Sequence, residues 1–301
     1  MSLVVKDLVK MGETQLVKAG CPEPKLDAEL IYCYMKNIDR TQFIMEWSDM
    51  VEDRICEQFF DLIAIRATRR PLQHITGTQD FMGLTFGVRE DVLIPRHDTE
   101  TVVEKAEELI RTKKVKTMLD LCCGSGAMGI SLAKRNPGLK VTATDISAAA
   151  KALTQTNAKR NSVKMDVLIG DLFTPLGHKK YDMIVSNPPY IPREVIGTLA
   201  DEVRRFEPQE ALDGGPSGLE FYHKIITGAP MHLKKSGWLV LEIGHDQAKA
   251  VVKLLDETGA FGEIGVFKDL AKHDRTVVAQ LAGKKKDKAK PSKKETKEVI
   301  E

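Results

Sequence analysis

Long apolar runs are absent: no stretch of this 301-residue chain approaches the roughly 20 residues needed to cross a bilayer. Lys6 and Asp7 interrupt the N-terminus before a signal-peptide core could form, so no membrane role is expected. Cysteine is scarce. The five present (Cys21, Cys33, Cys56, Cys122, Cys123) are odd in number and lack metal-ligand spacing, which argues for reduced thiols in a cytoplasmic setting and implies no metal. Vicinal Cys122 and Cys123 read as small strand-end residues, since neighbouring cysteines bridge poorly. A strong net charge is missing too. The formal charge is +2, but residues 283–301 hold eight lysines against four acids, a net +4, which leaves −2 for residues 1–282. The body is therefore not built as a sequence-specific nucleic-acid binder. The lysine-rich tail is expected to be disordered, suited at most to a weak contact with ribosomal RNA.

What is present begins with Asn187-Pro188-Pro189-Tyr190, which follows the strand-like run Tyr181 to Ser186. Two prolines fix two φ angles, remove two donors and restrict Asn187. Such a loop offers acceptors to a planar –NH2 group, and Tyr190 can lie against it. A plain Asn-Pro turn is the simpler reading. The complete tetrapeptide at a strand end favours chemistry on a planar amine.

A second constellation lies upstream. An apolar run, Met118 to Cys122, ends in Cys123-Gly124-Ser125-Gly126, and a helical pattern starts at Ala127. That order allows close backbone approach to a ligand at a helix N-terminus. A second strand from Lys140 ends in Asp145, placed to accept two ribose hydroxyls; a third ends at Gly170-Asp171. Gly124, Gly126 and Gly129 also satisfy G-x-G-x-x-G, so a nicotinamide oxidoreductase is an alternative, one that leaves Asn187 to Tyr190 unexplained.

The periodicity divides the chain. Helices are expected from Leu3 up to Gly20, near 24–35 and over 51–68, the last with Ile55, Phe59, Leu62, Ile63 and Ile65 inward. Gly77, Gly83 and Gly87 among Phe81, Leu84, Phe86 and Val88 predict a β-hairpin over 76–94. Beyond residue 100, strands near 117, 140, 166, 181 and 238 alternate with helices, which predicts a mostly parallel α/β sheet covered on both faces. Strands at 263–268 and 276–281 form its expected antiparallel edge. The expected organisation is a helical domain (1–75), a hairpin linker (76–95), an α/β domain (96–282) and the basic tail (283–301).

Glycine turn, acid, Gly-Asp and Asn-Pro-Pro-Tyr, after four successive strands, resemble a class I S-adenosylmethionine-dependent methyltransferase with its Rossmann-like sheet. More narrowly, the chain resembles the HemK-type glutamine N5-methyltransferases of peptide chain release factors. Arg70 to Gly77, Leu93 to Glu100, Phe206-Glu207-Pro208 with Ala211-Leu212, and Gly218-Leu219 carry that narrower likeness. The family commonly has Gly-Thr where this chain has Cys122-Cys123. The resemblance implies S-adenosyl-L-methionine as cofactor, lined by Cys122, Cys123, Gly124, Ser125, Gly126, Asp145, Asp171, Leu172 and Asn187, with Thr99 and Glu100 close by. It implies Asn187 and Pro188 as the catalytic pair and Asn187 to Tyr190 as the glutamine site. A release factor is the implied partner, and the helical N-terminal domain its docking element. A ribosomal-protein glutamine would use the same residues. Adenine methylation would call for a basic cleft and a recognition domain. A non-catalytic nucleoside-binding protein would not need Asn187 or the prolines. His74 and His97 read as structural.

Overall fold

The computed structural model describes residues 3–282, so the expectation of a disordered tail at 283–301 lies outside the described residues. Five helices open the chain: α1 (Val5–Lys18), α2 (Pro24–Lys36), α3 (Arg40–Met45), α4 (Asp53–Ala67) and α5 (Leu72–Thr76). Pro24 starts α2, where its missing N–H costs nothing, and Asn37 ends that helix at φ 53°. A capping box between Asp39 and Gln42 starts α3. Leu8, Leu16, Ile31, Tyr32, Phe59 and Ile63 close a separate apolar core between these helices. Ile65, expected inward, is 41% exposed. Helix α4 buries Phe59, Ile63 and Arg66, and at 100° per residue Ile65 falls outside that stripe. Helices α3 and α5, of six and five residues, are too short to show a period.

The hairpin is β1 (Thr78–Phe81) with β2 (Leu84–Gly87), antiparallel, Phe81 facing Leu84. It does not hang as a free linker: Phe81 and Phe86 are fully buried in the core of the α/β region, against Val102 and Val103.

Then come α6 (Asp98–Lys113), β3 (Thr117–Leu121), α7 (Ala127–Arg135), β4 (Lys140–Asp145), α8 (Ala148–Arg160), β5 (Asp166–Ile169) and β6 (Tyr181–Ser186). Two short helices follow, α9 (Arg193–Ile196) and α10 (Asp201–Phe206). The chain continues with α11 (Glu220–His232), β7 (Leu233–Glu242), α12 (Ala248–Thr258), β8 (Phe261–Lys268) and β9 (Asp274–Leu281). The strand order is β5-β4-β3-β6-β7-β9-β8. The first five strands run parallel, and β9 pairs antiparallel with β7 and with β8. This is the expected mostly parallel sheet with its antiparallel edge pair.

Both faces are covered, which is why β3, β6 and the second half of β7 read as largely apolar runs. One face packs with α6 and α7 through Val102, Val103, Ala106 and Ile130; the other with α11 and α12 through Ile225, Ile226, Val251 and Leu255. Leu121 stands beside Thr144 of β4 and Ser186 of β6, and Ser186 beside Leu241 of β7. The loops after β3, β4, β6 and β7 therefore leave one sheet edge together. After β3 the order runs outward through β4 and β5, then returns to β6 on the other side. The gap between β3 and β6 is a topological switch point, where such sheets bind ligands.

Candidate active site

A cavity of about 490 Å³ opens at that switch point. The first wall is the glycine turn. Cys122 takes φ 57° and Gly126 φ 79°. A Cβ on Gly126 would stand 2.7 Å from Thr154 Cγ2, so only glycine lets α8 come this close. From α8, Thr154 Oγ1 donates to the Gly124 carbonyl (2.9 Å), and Asn157 Nδ2 donates to Ser125 O (3.0 Å) and Gly87 O (3.1 Å). Asn157 Oδ1 accepts from Gly87 N at 2.7 Å. One buried side chain thus ties the glycine turn to the hairpin.

Acids flank the turn. Asp145 Oδ2 accepts from Gly124 N (2.8 Å) and Oδ1 from Ser147 N (2.9 Å), which aims the carboxylate along the cavity wall. Burial raises its pKa, and those two N–H groups work against the rise. Asp120, fully buried, accepts from Gly129 N at 2.9 Å. Burial pushes its carboxyl up to about 7, and the Asp145 charge adds to the rise. Burial also pushes the Cys122 and Cys123 thiols well up, so neither offers a thiolate.

The facing wall is the loop after β6. Ser186 Oγ donates to Leu121 O (2.9 Å), pinning the loop's start to β3. Asn187 Nδ2 donates to Thr99 Oγ1 at 3.3 Å, and among the described residues nothing bonds its Oδ1. Behind the loop stands Gln247. Its Nε2 donates to Tyr190 O (2.9 Å) and Gly218 O (3.3 Å), while Oε1 accepts from Gly244 N (2.9 Å). A Cβ at Gly218 would run into the Tyr190 carbonyl, so glycine permits this crossing of backbones.

Cys122, Cys123, Gly124, Ser125, Asp145, Asp171, Leu172, Thr99, Asn187 and Pro189 line the cavity together. Gly126, Glu100, Pro188 and Tyr190 do not. Gly126 serves packing under Thr154. Glu100 faces the hairpin, where it accepts from Met82 N at 2.8 Å. Pro188 is buried behind the wall, and the Tyr190 hydroxyl turns inward to Glu242 Oε1 (3.4 Å) instead of toward the cavity. His74 and His97 also lie off the wall. Sequence reasoning passed over Ile146, which lines the cavity while 65% exposed, an apolar surface suited to a flat ligand. Its place directly after the strand-end acid was the available signal. Arg96 and Glu207 were also passed over as a pair: Arg96, on the wall, donates to Glu207 at 2.5 Å.

The comparisons agree with this geometry. A methyltransferase small domain matches residues 101–202, and a PrmC N-terminal domain matches residues 7–77. The release factor glutamine methyltransferase of Geobacter sulfurreducens is 41% identical over 81% of this chain and 85% of its own. That of Clostridium botulinum is 37% identical over 92% of this chain and 99% of its own. The chain belongs to the release factor glutamine methyltransferase family. The chain also resembles the hMettl16 catalytic domain, at 17% identity, with a TM-score of 0.55 over 74% of this chain and 83% of that one. That likeness speaks to fold alone. Membership of a methyltransferase family also sets aside the nicotinamide reading of Gly124, Gly126 and Gly129. No helix among the described residues is long and apolar enough to cross a membrane.

Proposed function

We propose that this protein transfers a methyl group from S-adenosyl-L-methionine to the side-chain amide nitrogen (N5) of the glutamine in the Gly-Gly-Gln motif of peptide chain release factors, in the cytoplasm, leaving S-adenosyl-L-homocysteine. The observation that carries this reading is Asn187, held by Thr99 with its Oδ1 unpaired among the described residues on the cavity wall, opposite the glycine turn and Asp145. The donor set fits the cofactor: Asp145 for ribose hydroxyls, Ile146 and Leu172 as apolar surfaces for a base, and the backbone of Cys122 to Ser125 at close range. A cavity of about 490 Å³ falls within the size range of small-molecule sites. When bound, the cofactor supplies an electrophilic methyl group on a sulfonium.

The protein's residues do the rest. An amide nitrogen is a poor nucleophile because its lone pair is shared with its carbonyl. Asn187 Oδ1 accepts one of its N–H groups and, on the reading of the loop motif, the Pro188 backbone carbonyl the other although the Pro188 ring packs behind the wall; together they favour a pyramidal nitrogen and stabilise the positive charge it gains. Two stiff prolines keep those acceptors in place, so little reorganisation is needed as charge develops. No strong base is required, because a methylated, charged amide nitrogen gives up its proton to water. The helices before residue 76 are assigned to docking the release factor.

Labelled cofactor with a release factor, wild type against Gln→Ala in its Gly-Gly-Gln motif, tests the target. Asn187→Ala is expected to slow single-turnover methylation by about 10²–10³ while cofactor affinity, by calorimetry, stays within a few-fold. Normal turnover by Asn187→Ala would overturn the mechanism.

A further inference from the structure

Glu242 ends β7 directly behind the Asn187 to Tyr190 loop and is 1% exposed. A carboxylate buried this deeply needs a reason, since its desolvation is costly. The Tyr190 hydroxyl donates to Oε1 at 3.4 Å, while among the described residues Oε2 has no partner within hydrogen-bond geometry. The Thr99 hydroxyl faces the same carboxyl and favours its charged form. Thr99 is also the residue that holds Asn187. We infer that Glu242 is a positioning residue for methyl transfer: acting through the Thr99 hydroxyl, it decides which end of the Asn187 amide meets the substrate. The inference rests on the reading of Asn187 given above.

Hydrogen-bond direction sets the orientation of the Asn187 amide. An ionised carboxylate only accepts. Thr99 has one proton, and with that proton turned toward Glu242 its oxygen offers Asn187 lone pairs alone. Asn187 must then present its –NH2 to Thr99, which leaves Oδ1 facing the cavity. The opposite amide orientation would set oxygen against lone pairs and turn a donor toward a substrate –NH2 that needs acceptors. Protonated Glu242 loses this control, because it can donate to Thr99 and free the Thr99 proton for Asn187 Oδ1. A second anchor holds the acid in place: the Tyr222 hydroxyl of α11 donates to the Glu242 backbone carbonyl at 2.9 Å.

The groups facing Glu242 are Asp98 and Thr99 from α6, Tyr190 from the loop, Tyr222 from α11 and Arg275 from β9. Arg275 is shared with Asp98 (3.1 Å) and Asp269 (3.2 Å), so it does not neutralise Glu242 alone. Burial pushes the Glu242 carboxyl up to about 7, aided by Asp98; Thr99, Arg275 and Tyr190 act the other way. Orientation control is therefore complete above that pH and fades below it.

The test is the pH dependence of single-turnover methylation of a release factor at saturating S-adenosyl-L-methionine. Wild type should lose rate as pH falls through about 7 while cofactor affinity stays level. E242Q, nearly isosteric but able to donate to Thr99, should be slowed about tenfold or more and lose that acid limb, with cofactor Kd within twofold. T99V should show the same slowing, and the double variant no further loss, because both act through one contact. A flat wild-type profile between pH 6 and 8 would overturn the inference. So would wild-type rates in E242Q, an acid limb that survives in it, or additive losses in the double variant. If E242Q fails to fold, as judged by circular dichroism, the wild-type profile and T99V still decide. An active Asn187→Ala would instead retire the site reading itself. Inactive Asn187→Ala beside unaffected E242Q would retire only the role of Glu242.

Discussion

Removing Glu202 tests how the helical region is fastened to the segment that follows the Asn187 to Tyr190 loop. Glu202, on α10, accepts from Arg66 Nη2 (3.1 Å) and from Arg69 through Nε (2.7 Å) and Nη2 (2.5 Å). The Arg66 side chain is 4% exposed, that of Glu202 13% and that of Arg69 21%. Breaking a buried ion pair costs about 3–5 kcal/mol when it strands a charge. Here the stranding is partial: Arg66 keeps Asp27 at 2.8 Å, and Arg69 can turn into water. Glu202→Ala should therefore destabilise by about 2–3 kcal/mol, below that full range. Urea unfolding followed by circular dichroism reads this directly. A double-mutant cycle with Arg69→Met should return a coupling of about 1–2 kcal/mol. The effect has a definite pH dependence. Burial would raise the Glu202 pKa, but the Arg69 and Arg66 hydrogen bonds outweigh it and hold the carboxyl below its usual range. A depressed folded pKa gives stabilisation that is complete above the unfolded value, near 4.3, and lost as pH falls through the folded one. Wild type and Glu202→Ala should thus differ fully at pH 7 and converge in acid. A difference below about 0.5 kcal/mol at pH 7, the size of an exposed pair, would refute the assignment.

Asp145→Ala should weaken S-adenosyl-L-methionine and S-adenosyl-L-homocysteine by about 1.5–3 kcal/mol in calorimetry, the range for hydrogen bonds to a charged group. Tighter binding of NADH than of S-adenosyl-L-methionine by the wild type would restore the dinucleotide reading. Asn157→Ala removes three hydrogen bonds from α8, two to Gly87 of the hairpin and one to Ser125 of the glycine turn. It should cost about 2–4 kcal/mol in urea unfolding and loosen the cofactor as well, and an unchanged midpoint would count against that bridge. A chain lacking residues 1–75, shown folded by circular dichroism, should keep cofactor binding but lose kcat/KM on an intact release factor, because remote contacts place the glutamine. Undiminished activity would show that these helices do not dock the substrate.

Much of the architecture was legible because it is local. Most of the parallel strands are largely apolar runs, β4 (Lys140–Asp145) is marked instead by the acid that ends it, and glycines or prolines mark where the chain must turn. The antiparallel pair at the sheet edge was legible for the same reason. The short helices α3, α5, α9 and α10 were not, because four to six residues hold hardly more than one turn and show no period. Ile65 was misplaced because an apolar residue one step from a buried one looks inward in sequence, although 100° of rotation exposes it. The hairpin was read as a strand pair but not as part of the core, since its partners Val102 and Val103 belong to a later helix.

The site divides along the same line, and the division has a physical cause. Residues placed at the ends of strands (Cys122 to Ser125, Asp145, Asp171, Asn187) were readable, because strand ends are set by local pattern and a parallel sheet gathers them at one edge. Residues that hold those groups in position were not. Asn157 acts on Gly87, 70 positions away, and Gln247 on Tyr190, 57 positions away. Glu242 reads in sequence as an acid closing an apolar strand, free to face water. Only the strand order, with β7 beside β6, brings it behind Asn187 and makes its burial costly. Tyr190 shows the same limit from the other side: its aromatic ring suggested a surface for the substrate amide, yet its hydroxyl is committed inward to Glu242. The proposed chemistry is visible as a motif, whereas its proposed control depends on packing between elements distant in sequence.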